Sequence, residues 1–168
     1  SVLFIWVQWL TYSWNLEPYI NLKNKRNSQI LFKKLREIWE NKDVLIVEGA
    51  TSRSGVGNDL FSNAKSVKRI ICPSKNAFRS ISKIENSILS FKQNRLILVM
   101  LGPTAKIIIN DLNSQIDNRM IDMGHIDSEY EWFKRGDLTR EKIPNKHTAE
   151  YNTDQGIVLD YNEEYANE

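Results

Sequence analysis

The sequence predicts an α/β fold in which a parallel β-sheet carries helices on both faces. Short β-branched runs alternate with amphipathic helical stretches, and in such chains the strands pair in parallel with the helices as crossovers. Each of the four runs ends in a glycine or proline followed at once by polar residues, as a strand does where the backbone turns sharply at a sheet edge. A length of 168 residues with 41% hydrophobic and 26% charged content is what one globular domain needs to bury a core.

The elements follow in order. "SQILFKKLREIWEN" carries Ile30, Leu31, Leu35, Ile38 and Trp39 at helical spacing behind a cap at Ser28. "DVLIVEG" is the first strand, followed by a glycine-containing loop and a short helix over "NDLFSNAK". "KRIICP" is the second strand. "SKNAFRSISKIENSILSFKQ" then sets Phe78, Ile81, Ile84, Ile88 and Phe91 on one helical stripe. "NRLILVMLGP" is the third strand, "TAKIIINDLNSQ" a short helix and "NRMIDMG" the fourth strand, after which "DMGHIDSEYEW" reads as an acidic loop. The expected division is an N-terminal segment 1–27, a domain 28–150 and an acidic tail 151–168.

Composition excludes several classes. The formal charge is +2, and from Glu150 onward stand Asp154, Asp160, Glu163, Glu164 and Glu168 with no Lys or Arg. Basic residues are scattered rather than gathered into a stripe, which disfavours nucleic acid as a partner. The single cysteine, Cys72, forms no intramolecular disulfide and points to a reducing, cytoplasmic setting. It looks buried rather than nucleophilic. "SVLFIWVQWL" is too short for a membrane span and lacks the flanks of a signal peptide.

Ligands of open parallel sheets bind just outside the carboxyl ends of the strands, so the four strand-end loops are where a site belongs. "SRSGVGND" holds a G-x-G, yet Leu60 stands where the dinucleotide fingerprint has its third glycine. A turn needing positive φ and a phosphate contact both account for that loop. Arg53 and Lys75 follow strand ends and could clamp a diphosphate, Arg as a fork and Lys as a point charge. In an extended "DSE" segment Asp127 and Glu129 would point to one side and could share a divalent cation, Mg2+ or Mn2+, whose preferred ligands are oxygens; two solvated acids are the plainer alternative. His125 serves equally as a base, a phosphate donor or a packed histidine. Tyr130, Trp132 and Phe133 read as local packing.

Taken together, "VLIVEGATSRSGVGNDLF", "KRIICPSKNAF", "LILVMLGPTA" and "DMGHIDSEYEW" resemble the bacterial glycosyltransferases of the GT-D fold, from about Pro18 to about Tyr151. The resemblance implies a Rossmann-like, metal-dependent enzyme that moves a sugar from a nucleotide-sugar donor, typically UDP-glucose, onto a glycan or glycoprotein acceptor in surface polysaccharide or adhesin assembly. Asp127 and Glu129 fall on the family's D-x-E motif and would hold manganese against the donor diphosphate. Glu48, Arg53, Gly55, Gly57, Asn58 and Asp59 match the first donor-site motif, Asn76 the second, and Gly102, Pro103 and Thr104 the third. A carboxylate of the acidic loop, or His125, would take the acceptor proton. The family's earlier strand, with an R-F-G-D-G-E-like motif, has no counterpart before Val44, and Glu17 and Asn21 replace an arginine and an aspartate in "NLEPYINL"; the chain is therefore expected to be N-terminally truncated. Two other readings are a dinucleotide-dependent enzyme using "SGVGND" as a pyrophosphate loop, and a non-catalytic partner subunit of a glycosyltransferase.

Overall fold

Strand β1, Asp43–Gly49, is buried from Val44 to its end, which suits a run of Val, Leu and Ile flanked on both edges. It pairs in parallel with β2, Ser66–Cys72, and with β3, Leu96–Met100. β4, Met120–Asp122, pairs in parallel with β3, giving one sheet of order β2-β1-β3-β4. The structure, a computed structural model, describes residues 25–148, 151 and 153–159. The readings made for the apolar N-terminus, "NLEPYINL" and the acids Glu150, Asp160, Glu163, Glu164 and Glu168 lie outside these residues.

The period-2 alternation of the strands divides the core into two layers. Val44 and Ile46 of β1 with Leu96 and Leu98 of β3 face one side, where Phe32, Trp39, Tyr130 and Trp132 pack. Leu45 and Val47 with Ile97 and Val99 face the other, against Ile84, Ile88, Ile108 and Leu112. The first layer is covered by α1, Lys25–Arg36, and the second by α2, Ile81–Phe91, and α3, Pro103–Leu112. Helices on both faces of a parallel sheet are as the alternation predicts.

Three local readings are corrected. Helix α1 begins at Lys25, so Ser28 is a buried residue inside it and not its cap. "NDLFSNAK" forms turns, so β1 and β2 are joined without a helix. Its apolar residues are used otherwise: Leu60 is fully buried, Phe61 stacks obliquely on Trp39 with centroids 5.1 Å apart, and Trp39 donates its indole N–H to the Leu60 carbonyl at 3.0 Å.

The third correction decides the site. "IDSEYEWFKR" is not a loop but helix α4, Ile126–Arg135, on the first face of the sheet. It begins with Asp127 and Glu129 in its first turn and ends with Lys134 and Arg135 in its last, the charge order that complements a helix dipole. Gly136, at φ 72, stops it with N–H bonds back to the last turn. Ile126, Tyr130 and Phe133 form the apolar stripe, with Phe32 edge-on to Tyr130 at 5.0 Å.

Candidate active site

A cleft of about 320 Å3 opens at the carboxyl ends of all four strands. Gly49, Ser52 and Ser54 bring the β1 loop to it, Pro73 and Ser74 the β2 loop, Leu101 and Gly102 the β3 loop, and Gly124, His125 and Ser128 the entry to α4. Two ten-residue helices start on its floor. Neither has a side-chain cap: α3 begins after Gly102, at φ 54 and ψ −138, with Pro103 in its first turn, and α4 begins after His125. Helix starts without side-chain caps, with their positive dipole ends, suit this floor to an anion. A Cβ on Gly102 or Gly124 would meet nothing within 4 Å. These glycines thus owe their identity to positive φ; Gly102 leaves backbone open to a ligand, whereas the Gly124 N–H is donated to Asp122 Oδ1 at 3.0 Å.

Of the residues singled out from sequence, Gly102, His125 and Asp127 line this cleft. Glu48 does not. It is fully buried, paired with Arg69, and accepts the Ser54 N–H at 2.8 Å. Arg69 in turn donates to the Ser54 carbonyl at 2.8 Å. Burial pushes the Glu48 carboxyl up and Arg69 opposes it; the pair secures the β1 loop rather than reaching a ligand. Arg53 is buried at φ 49 and lies 3.4 Å from the Val158 carbonyl, to which it donates. Lys75 and Asn76 stand exposed beyond β2, and Pro103 and Thr104 lie in the first turn of α3.

The glycine loop is held from beneath. Gly55 donates its N–H to Asp127 Oδ1 at 2.7 Å, and Asn58 Nδ2 donates to the same oxygen at 2.9 Å and to Glu131 at 2.7 Å. Lys146, 5% exposed, places its ammonium 2.9 Å from Asp127 Oδ2 and 2.8 Å from Glu131 Oε1. Burial pushes the Asp127 carboxyl up, while Lys146, Gly55 and Asn58 pull it back. A Cβ on Gly55 would lie 2.5 Å from the Phe61 ring, so this glycine is required by packing. Gly57 is exposed with open space about it. Asp59 faces away, accepting the Tyr130 hydroxyl at 3.0 Å and pairing with Lys134 at 3.1 Å.

The expected pairing of Asp127 with Glu129 rested on an extended segment. In a helix, residues two apart lie about 200° apart around the axis. The partner of Asp127 is instead Glu131, one turn on. Both Asp127 oxygens are already engaged, one by two N–H donors and one by a buried ammonium. Asp127 and Glu129 therefore do not fit one shared manganese ion. Among the described residues no group of three or more His, Cys, Asp or Glu could hold a metal ion.

Sequence reasoning missed Lys146, Glu131, Arg69 and the pair His147–Asp154. His147 lines the cleft, its ring Nδ1 lies 2.7 Å from Asp154 Oδ1, and Asp154 Oδ2 accepts the Thr51 hydroxyl at 2.8 Å. No local spacing signals these residues; they meet because the chain after α4 folds back over the β1 loop. Cys72 is buried as expected, its thiol pushed up to about 12 by burial and then by Glu48. Among the described residues no helix is long and apolar enough to cross a membrane.

The family model for the glycosyltransferase GT-D fold matches residues 4–151. The chain is 56% identical over 140 residues to the probable glycosyl transferase Gly of Streptococcus gordonii, covering 83% of this chain and 20% of that protein. It is 54% identical over 148 residues to the glycosyltransferase GlyD of Streptococcus pneumoniae serotype 4, covering 88% and 18%. A solved structure of the highly conserved domain of unknown function 1792, described as having a distinct glycosyltransferase fold, superposes with a TM-score of 0.82 at 54% identity. A glycosyltransferase of the same domain type from Streptococcus sanguinis superposes at 0.81 with the same identity. The chain spans about a fifth of these curated relatives and 53% of the solved chains. With a four-stranded parallel sheet, a cleft at its carboxyl edge and these matches, the chain belongs to the glycosyltransferase GT-D fold family.

Proposed function

We propose that this chain carries part of a glycosyltransferase that binds a nucleoside diphosphate sugar, UDP-glucose first among candidates, and passes the sugar to a glycan or glycoprotein acceptor in bacterial surface assembly. One observation carries the donor assignment: two uncapped helix N-termini, each preceded by an open positive-φ glycine, start on the floor of one cleft. A diphosphate seated there accepts N–H bonds from the first turns of α3 and α4, and the two dipole ends offset the charge that grows on it as the sugar leaves. Ser52, Ser54 and Ser74 line the same cleft and supply hydroxyls to the phosphate oxygens or the sugar. His125, at the start of α4, is placed to donate to phosphate.

The rival dinucleotide reading is weakened by the glycine loop itself. The fingerprint needs its glycines to open a helix whose N-terminus meets the pyrophosphate, whereas here the loop runs through turns directly into β2. Titration calorimetry on the complete gene product separates the two: saturable binding of UDP with none of NAD supports the donor assignment, and preference for NAD overturns it.

A further inference from the structure

We propose that His147 is the general base that takes the proton from the acceptor hydroxyl, and that Asp154 is its positioning residue. This rests on the donor assignment above and adds the group that activates the nucleophile.

The histidine is fixed at two points and its aspartate at a third. The His147 backbone N–H donates to the Thr51 carbonyl at 2.7 Å, its Nδ1 meets Asp154 at 2.7 Å, and Thr51 holds the other Asp154 oxygen through its own hydroxyl at 2.8 Å. A carboxylate on Nδ1 selects the tautomer with the proton there, leaving the Nε2 lone pair as the basic site. Burial works against the Asp154 charge, yet the bonds from His147 and Thr51 outweigh it and hold the carboxyl below its ordinary value, with Lys75 contributing in the same direction. The aspartate thus stays ionised beside the ring and steadies the imidazolium that proton transfer creates. The side chain is 43% exposed while lining the cleft, which suits a group that must meet an acceptor arriving from solvent.

Four other acids near the cleft are engaged, among them Asp122 at the end of β4, whose Oδ1 accepts the Gly124 N–H at 3.0 Å. Asp127 has both oxygens engaged by Gly55, Asn58 and Lys146, Glu131 is bound by Asn58 and Lys146, and Glu48 is paired with Arg69. In the step assigned to His147, the acceptor oxygen forms its bond to the anomeric carbon as its proton passes to Nε2. The bond from that carbon to the diphosphate oxygen breaks, and its electron pair leaves with the nucleoside diphosphate. The proton is released to solvent afterwards.

The test uses the complete gene product with UDP-glucose, reading UDP release to the glycan acceptor or to water, alongside UDP titration and thermal unfolding. His147→Ala should lower turnover about 100- to 10,000-fold with UDP affinity within threefold of wild type, and added imidazole should restore part of the lost rate. Asp154→Asn should lower turnover less, with KM for UDP-glucose unchanged, and Asp154→Glu should recover some of it. His147→Gln, closer in size, guards against a packing defect. Turnover by a folded His147→Ala above a tenth of wild type overturns the proposal. So does a loss that imidazole does not repair, or one that tracks weakened UDP binding. Failure of the wild type to bind UDP overturns the donor assignment, and the role of His147 with it.

Discussion

The clasp under the glycine loop and the cleft beside it are built from similar residue types to opposite ends. In the clasp, Asp127, Glu131, Asn58 and Lys146 are buried or half-buried and bonded to one another. In the cleft, the conspicuous groups are backbone N–H donors left uncapped at two helix starts and a half-exposed histidine oriented by a carboxylate. Satisfied charge holds shape, and what stays open to solvent is available for chemistry. The acidic motif that looks most like a site in sequence is mainly the fastening of one.

Breaking the clasp should give the largest loss of stability. Lys146→Met leaves the Asp127 and Glu131 carboxylates without their counter-ion, and a buried pair broken on one side costs about 3–5 kcal/mol. Chemical denaturation should show this as a lower midpoint, and combining Lys146→Met with Asp127→Asn and Glu131→Gln should recover much of it. Recovery would show that the cost lies in uncompensated charge rather than lost packing.

On the cleft side, Gly102→Val meets no neighbour but must hold φ 54 with ψ −138, a strain of about 1–3 kcal/mol. Its branched side chain also blocks the helix start, so UDP affinity should fall tenfold or more by calorimetry. If affinity survives in a protein shown to be folded, the diphosphate lies elsewhere.

The D-x-E pair sharpens the comparison further. Asp127→Asn turns an acceptor that serves three donors into an amide, at a cost of about 1–3 kcal/mol in thermal unfolding. Glu129→Gln, tested with manganese present, should change UDP affinity less than threefold. A large loss of metal-linked affinity in Glu129→Gln would restore the shared-cation arrangement.

The smallest effect is on acid stability. Hydrogen bonds and ion pairs outweigh burial to hold Asp59 and Asp154 below the ordinary carboxylate value. Groups depressed in the folded state contribute stability above the unfolded pKa, about 3.9 for Asp, and lose it as pH falls through the folded value. Acid unfolding of Asp154→Asn should therefore be less steep below pH 4 than that of wild type, with the difference confined to that range.

Much of this fold was legible because its signals are local. The four strands stand out as β-branched runs, β1 at its observed bounds, and α3 as a short helix; of the expected stripe Ile84 and Ile88 are buried, whereas Phe78 lies in a 3-10 turn before α2 and, like Phe91, is exposed. The alternating acids of α4 imitate an extended loop, whereas the C-terminal Gly136 and the acid-first, base-last order of its charges mark it as a helix. In the cleft, Gly102 and His125 were visible as strand-end residues. Lys146 and His147 were not, because each becomes functional only through partners 15 or more positions away or in a segment read as an acidic tail: Lys146 is 19 residues from Asp127 and 15 from Glu131, and Asp154 is 103 residues from Thr51. Burial likewise turned Glu48 and Arg53 from expected ligand contacts into supports.

The most direct test is a UDP titration of the complete gene product, wild type beside Gly102→Val and Glu129→Gln, each with manganese and each checked for folding. Diphosphate binding at the helix starts predicts saturable binding by wild type, a tenfold or greater loss in Gly102→Val and near-normal affinity in Glu129→Gln. The reverse order, with Gly102→Val binding normally and Glu129→Gln failing, would place the donor on the acidic pair and contradict it.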